Sequence, residues 1–242
     1  KALVDILGFS RSKIVKMLED NKILVNGEIV KSSYQLRIGD KVTVEEYVEE
    51  EMSAEPEDMD LDIVYEDDDV IVVNKANGIV VHPAVGNNHG TLVNGLLYHS
   101  KNLSNINGEF RPGIVHRIDA YTTGLLMVAK NNESHNILAE QLSHKTTTRK
   151  YWAIVWGVIK HDTGTIDAPI GRDPNNRQQM TVTDINAKDA ITHFRVLKQY
   201  KENTLLECIL ETGRTHQIRV HLAYIGHPVN NDPTYCKKKA TD

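Results

Sequence analysis

Two cysteines, Cys208 and Cys236, are all that this 242-residue chain contains, too few for a disulfide framework. Cys208 lies inside the apolar run 204–210 and reads as a small core residue. A reducing, cytoplasmic setting fits that usage. No apolar stretch approaches the roughly 20 residues a spanning helix needs, so no membrane partner is expected. No signal peptide opens the chain. Residue 1 is Lys rather than Met, so a preceding piece is expected to be missing. Metal motifs are absent too. There is no His-Glu-x-x-His and no Cys-x-x-Cys, and His216 and His221 are five apart, not the four that put two ligands on one helical face. No metal is expected. Without Gly-x-Gly-x-x-Gly or a Walker loop, no nucleotide cofactor is expected. Without Gly-x-Ser-x-Gly, a serine hydrolase is disfavoured. No internal repeat occurs.

What the chain does have is unevenly distributed. Residues 45–69 hold fourteen acidic residues and no basic ones. That tract hides a net +3 over residues 1–44 and a net +6 over residues 70–242 behind a total of -5. Mild basicity on both sides suits an RNA partner, although an ordinary solvated surface accounts for it too.

The pattern divides the chain into a small part at 1–46, an acidic linker at 47–60 and a larger domain at 61–242. In the first, Ser10 can cap a helix whose apolar face is Ile14, Val15, Met17 and Leu18. The Asn26-Gly27 pair between two apolar runs is a strong hairpin signal. A turn at Arg37–Asp40 precedes a strand at 41–44. The linker contains Pro56 and no periodicity, which reads as exposed chain. Beyond it, strands are expected at 70–73, 125–128, 151–155, 164–166, 191–196 and 204–210. Helices are expected at 91–97, 132–142 and, capped by Thr215, at 216–224. Many strands, few helices and no βαβ alternation point to an α+β domain with a mixed, largely antiparallel sheet.

Residues 112–130 carry the most chemistry. Asp119 stands between a basic pair, His116 and Arg117, and a polar turn, Thr122-Thr123-Gly124, before the apolar run 125–128. That places a carboxylate on a loop at the edge of a sheet. An Asp before such a turn can also serve only as a turn residue. Two further segments accompany it: Arg149-Lys150-Tyr151-Trp152 and Thr212-Gly213-Arg214-Thr215-His216-Gln217-Ile218-Arg219-Val220-His221.

In this order the three segments resemble the pseudouridine synthases of the RluA type. The family's His-Arg-Leu-Asp-x-x-Thr-Ser-Gly-Leu is matched by His116–Leu125, and its Gly-Arg-x-His-Gln-Ile-Arg-x-His by Gly213–His221. Upstream, Asn74–Pro83 is similar to Asn-Lys-Pro-x-Gly-x-x-x-His-Pro. The first 46 residues resemble an S4 RNA-binding domain, a small α/β fold, lacking its first residues. Segments 82–87 and 90–94 are similar to the RluD-like branch, which acts on large-subunit ribosomal RNA.

The resemblance implies isomerisation of an RNA uridine to pseudouridine without a cofactor. A carboxylate either attacks C1′ or removes the C2′ proton; the residues leave both open. Asp119 is then the catalytic group, and it calls for an adjacent cation, which by resemblance is Arg219. Tyr151 is implied to abut the target base. The plain alternatives are a salt bridge for Arg219 and a core aromatic for Tyr151, on one strand face with Ala153 and Val155. RNA contacts are expected from Arg117, His116, Lys150 and Arg214, and from Arg11, Lys13 and Lys16 as phosphate contacts. His116 also suits a loop-orienting role. The expected substrate is a stem-loop uridine of ribosomal RNA, bound by a monomer. A transfer RNA substrate and a non-catalytic ribosome-assembly binder are the alternatives. The departures are Ala120-Tyr121 in the loop, Ala76 in place of Pro, and Asn231 in place of Gly, where Asn tolerates positive φ. After Asp232 the match weakens, and a longer tail is expected.

Overall fold

The computed structural model describes residues 2–9, 11–45, 54–83, 88–108, 111–176 and 178–236, with residues 2, 5 and 11–13 described by backbone alone. The chain splits into two compact units, Lys1–Glu51 and Met52–Asp242.

The first unit opens with α1 (Ala2–Leu7), a helix ahead of the pattern read from the sequence, followed by α2 (Arg11–Glu19). Ile14, Met17 and Leu18 of α2 are buried with Ile23, and Leu3, Val4 and Leu7 of α1 pack against them. Val15 is half-buried, and the expected cap at Ser10 lies outside the described residues. β1 (Ile23–Val25) pairs antiparallel with β2 (Glu28–Ile29) and β3 (Val42–Val44). Asn26 and Gly27 between the first two strands have φ of 55° and 82°, as the two-residue hairpin turn with both centres left-handed requires. Asp40 then closes the Arg37 turn by accepting from the Arg37 N–H at 2.8 Å, while the Asn26 Nδ2 donates to it at 2.9 Å.

The second unit is α+β, and every strand pair described in it is antiparallel. β4 (Ile63–Glu66), β5 (Val70–Lys75) and β6 (Gly124–Ala129) form one sheet in that order. α3 (Leu92–His99) lies between β5 and β6 in sequence, capped at Thr91, whose side chain and that of Asn94 satisfy each other's backbone N–H. Its Leu92, Val93 and Leu96 are fully buried with Ile71, Val73 and Leu126, each stabilising by about 1.5–3 kcal/mol. α4 (Asn132–Ser143), capped by Asn131, packs on β6.

The second sheet has the order β7-β12-β11-β8, from β7 (Arg149–Trp156), β8 (Thr163–Asp167), β11 (Ile191–Gln199) and β12 (Asn203–Leu210). A two-stranded ribbon, β9 (Ile170–Arg172) with β10 (Met180–Val182), was not expected. Its strands are too short to show an alternation. α5 (Gln217–Tyr224) follows β12 and packs on β10 and β11. Among the described residues, no helix is long and apolar enough to cross a membrane.

Two expectations are corrected here. Residues 46–53 of the acidic tract lie outside the described residues, but 54–60 are not free linker. Ala54 is buried, Glu57 accepts from the Gly90 N–H at 2.9 Å and pairs with His89 at 2.8 Å, and Asn94 Nδ2 donates to the Glu55 carbonyl at 2.8 Å. The acidic chain adheres because the approach to α3 presents donors to it. Thr215 does not cap α5. That position belongs to His216, in the left-handed region at φ 56° with no side-chain cap. The Gln217 side chain closes the turn instead, accepting from the Arg214 N–H at 2.9 Å and from Thr212 Oγ1 at 2.8 Å.

Candidate active site

Asp119 lies on the loop that enters β6, and several main-chain bonds hold that loop. The Ala129 N–H donates to the Gly113 carbonyl at 2.9 Å, and the Gly113 N–H to Ser104 at 2.7 Å. Gly113 has φ +70°, and a Cβ there would meet the Ala129 carbonyl and Val128 Cγ1 at 2.7 Å each, so only glycine permits this approach. Three residues on, His116 Nε2 accepts the Met127 N–H at 3.0 Å. An accepting Nε2 must be unprotonated. Burial, then the nearby Arg149, holds the His116 pKa down to about 4, in keeping with that bond. Ile118 is buried in the core of the β4-β5-β6 sheet. The turn after Asp119 is closed by its main-chain carbonyl, which accepts from the Thr122 N–H at 3.0 Å. The carboxylate takes a different partner, which separates this residue from an ordinary turn Asp.

That partner is Arg219 on α5. Its Nη1 donates to Asp119 Oδ2 at 2.9 Å, and its Nε and Nη2 form a fork on Asp232, at 2.7 and 3.0 Å. Nη2 also donates to Thr234 Oγ1 at 3.1 Å, and the Tyr235 ring lies 5.0 Å from the guanidinium carbon. The Asp232 side chain is 1% exposed, against 22% for Asp119. Burial pushes the Asp232 pKa up, but the Arg219 hydrogen bonds and the N–H groups of Thr234 and Tyr235 outweigh it, so the net shift is downward. Burial also opposes the Arg219 charge, and the bonds to Asp232 and Asp119 override it, so its pKa rises. Asn231, just before Asp232, has φ 57°, so the turn survives the departure from Gly. The strained His216 is tied to the same cluster, its Nδ1 lying 2.8 Å from the Tyr235 hydroxyl.

On the other side of the loop is Lys75, at the end of β5 and 1% exposed. Its Nζ donates to the carbonyls of Ala76, Ile79 and Ala120 at 2.8, 2.9 and 2.8 Å. The last of these follows Asp119 directly. Burial lowers the Lys75 pKa while the charge of Asp119 raises it.

Tyr151 stands on β7 where two cores meet, packing against both the cluster of the β4-β5-β6 sheet and that of the second sheet. It shares its face with buried Ala153 and Val155. Burial raises its pKa, Arg149 lowers it and Asp119 raises it, with a net rise that keeps the phenol protonated. The structure joins Asp119 and Arg219 from distant segments, and Tyr151 lies close enough to feel the Asp119 charge. It does not bring Lys150 there. Lys150 alternates to the opposite, exposed face with Trp152 and Ile154. Arg214 is half-buried, with Nε donating to the Asp189 carbonyl at 2.9 Å. Arg117 is exposed on the Asp119 loop. Lys16 is exposed on α2 of the first unit, and the Arg11 and Lys13 side chains lie outside what is described.

Sequence reasoning missed the work of Asp232, Tyr235, Arg149 and Lys75. The signal for Lys75 was present: alternation along β5 puts it on the same buried face as Ile71 and Val73. Asp232 was marked only as the end of a Gly-His-Pro-x-x-Gly-Asp turn similar to the family's, with no role attached, and Tyr235 had no pattern to mark it.

Two family descriptions match the chain: RNA pseudouridylate synthase over residues 69–224 and the S4 domain over residues 1–42. An RNA pseudouridine synthase of Bacillus subtilis, itself described as uncharacterized, is 56% identical over 97% of this chain and 77% of its own length. Ribosomal large subunit pseudouridine synthase D of Escherichia coli is 44% identical over 94% of this chain and 68% of its own. The solved structure of human RNA pseudouridylate synthase domain containing 1 matches at TM-score 0.62 and 28% identity, covering 74% of this chain and 70% of that one.

Proposed function

The chain belongs to the RNA pseudouridylate synthase family and carries an S4 domain, and from that premise we propose that it converts uridines of large-subunit ribosomal RNA to pseudouridine with Asp119 as the catalytic carboxylate. The observation that carries this reading is the ion pair of Arg219 with Asp119 at 2.9 Å, built on a guanidinium already fixed by Asp232. A carboxylate needed only for a turn would not be matched to a half-buried cation from a helix 100 residues away.

The reaction breaks the N1–C1′ bond of the uridine, turns the base and joins C5 to C1′. The C5 proton is lost and N1 ends protonated, so no electrons are exchanged with an outside partner. Asp119 serves either as the nucleophile at C1′ or as the base at C2′. In both, Arg219 aims the carboxylate and balances its charge. Tyr151, kept as a phenol by burial, lies against the base and can hand on a proton. The base must leave its stack, at a cost of a few kcal/mol, which favours a uridine in a stem-loop. Arg117 on the catalytic loop contacts the backbone there, residues 1–46 add positioning contacts through Lys16, and 61–242 form the catalytic part. The protein acts as a monomer in the cytoplasm. The name of the Escherichia coli relative supports the choice of ribosomal RNA.

The test is to treat unmodified ribosomal RNA with the purified protein and map pseudouridine by chemical labelling and primer-extension stops. Wild type should give stops at defined uridines. Asp119→Asn should bind RNA within about twofold of wild type and lose at least about 10³-fold in turnover, a group in the reacting centre being worth several kcal/mol. Normal turnover by this variant would remove Asp119 from the mechanism.

A further inference from the structure

A cavity of about 450 Å³ opens beside the Asp119 loop, lined by Arg111, Arg117, His82, His116 and Asn107 with two aliphatic side chains. That volume lies within the range of small-ligand sites. Among the described residues, none that lines it is acidic. Both imidazoles are neutral at physiological pH, held down to about 4 by burial first, then by Arg111 and Arg117 at His82 and by Arg149 at His116. The cavity therefore presents two guanidiniums together with neutral rings and aliphatic carbon, a lining suited to an anion attached to something flatter and less polar. Its walls are built rather than loose. The Arg111 N–H donates to the Gly108 carbonyl at 3.3 Å, and the Arg111 carbonyl accepts from Ile114 at 3.2 Å. Asn107 Nδ2 spans the turn to the Ile114 carbonyl at 2.9 Å. Its position is telling: Arg117 is two residues from Asp119, and His116 ties the same segment to β6. A ligand seated here is held by the same chain segment that carries Asp119.

We propose that this cavity is a nucleotide subsite for the RNA chain, in which Arg111 joins Arg117 in gripping a phosphodiester next to the target uridine. The inference rests on the RNA-modifying reading above and adds Arg111 and His82 to it. Guanidinium groups form forked, charge-assisted bonds to phosphate, and the apolar wall with His82 receives the sugar or base attached to it.

The test uses the full chain and an RNA stem-loop carrying the mapped uridine. Binding is measured across a salt series. Arg111→Gln should weaken binding about tenfold and reduce the slope of log affinity against log salt by about one phosphate contact. Arg111→Lys should keep the wild-type slope. In unmutated protein, RNA should protect Arg111 as well as Arg117 from phenylglyoxal, a readout that needs no variant to fold. Wild-type affinity and slope in Arg111→Gln, or no protection of Arg111, while wild type still makes pseudouridine, would overturn the subsite and leave the synthase reading standing. Wild type that neither binds nor converts the RNA would overturn that reading and the subsite with it.

Discussion

Two cations hold the Asp119 loop, a half-buried Arg219 and a buried Lys75, and they are satisfied in opposite ways. Arg219 is held by two carboxylates, a hydroxyl and a ring face. Lys75 is held by three main-chain carbonyls. The difference follows from the shape of each group. The flat guanidinium fork can meet two carboxylates in one plane, whereas the ammonium has three diverging donors. Arg219 therefore acts on the Asp119 side chain, and Lys75 acts on the backbone that carries it. One sets where the carboxylate points, the other where the loop lies.

Cutting the Arg219 side should have the largest effect. Asp232→Asn leaves the half-buried guanidinium with one carboxylate in place of two, and breaking a fully buried pair costs about 3–5 kcal/mol, an upper limit for this one. We expect a clear fall in melting temperature and a loss of about 10²-fold in kcat/KM, with RNA affinity nearly unchanged. A variant that lost stability yet kept kcat would make Asp232 a purely structural partner and erase the contrast. Lys75→Met should come next. It strips donors from three carbonyls, each costing about 1–3 kcal/mol less whatever water recovers. Urea unfolding should show the loss, and kcat should fall less than in Asp232→Asn because Arg219 still holds the carboxylate. Equal kcat losses in the two variants would mean that loop and side chain are not controlled separately.

The smallest effect is a titration of the loop's other tie. His82 and His116 have folded pKa values of about 4 against 6.5 unfolded, so between those values the unfolded chain binds more protons. Their contribution to stability is full above about pH 6.5 and is lost as pH falls toward 4. His116→Gln, which keeps an acceptor for the Met127 N–H but does not titrate, should lose less stability than wild type between pH 7 and pH 5 in urea unfolding. An identical decline would remove His116 from the pH response.

Much of the fold is legible in the sequence. The Asn26-Gly27 hairpin, the helix at 92–99, the strand that follows the Asp119 loop and the strand that carries Tyr151 stand where local pattern put them. Turn chemistry and alternation act over a few residues, and those rules are local. The failures share one cause. The β9–β10 ribbon is too short for periodicity, the chain at 54–60 adheres only because Gly90, His89 and Asn94 wait for it, and the start of α5 depends on Gln217 rather than on the residue suited to capping it. Lys150 follows the same logic: its neighbour Tyr151 faces the site, and the alternation of β7 sends it the other way.

By itself the sequence determined which groups were available for chemistry: one loop carboxylate, a tyrosine on a strand and an arginine on a late helix, in segments ordered as in a known family. Only the tertiary structure decided that Arg219 would be shared between Asp119 and Asp232, that Lys75 would end beneath the same loop, and that Arg111 and His82 would line one cavity. Such pairings join residues far apart in the chain, and they form only when two sheets pack and bury charges that must then find partners.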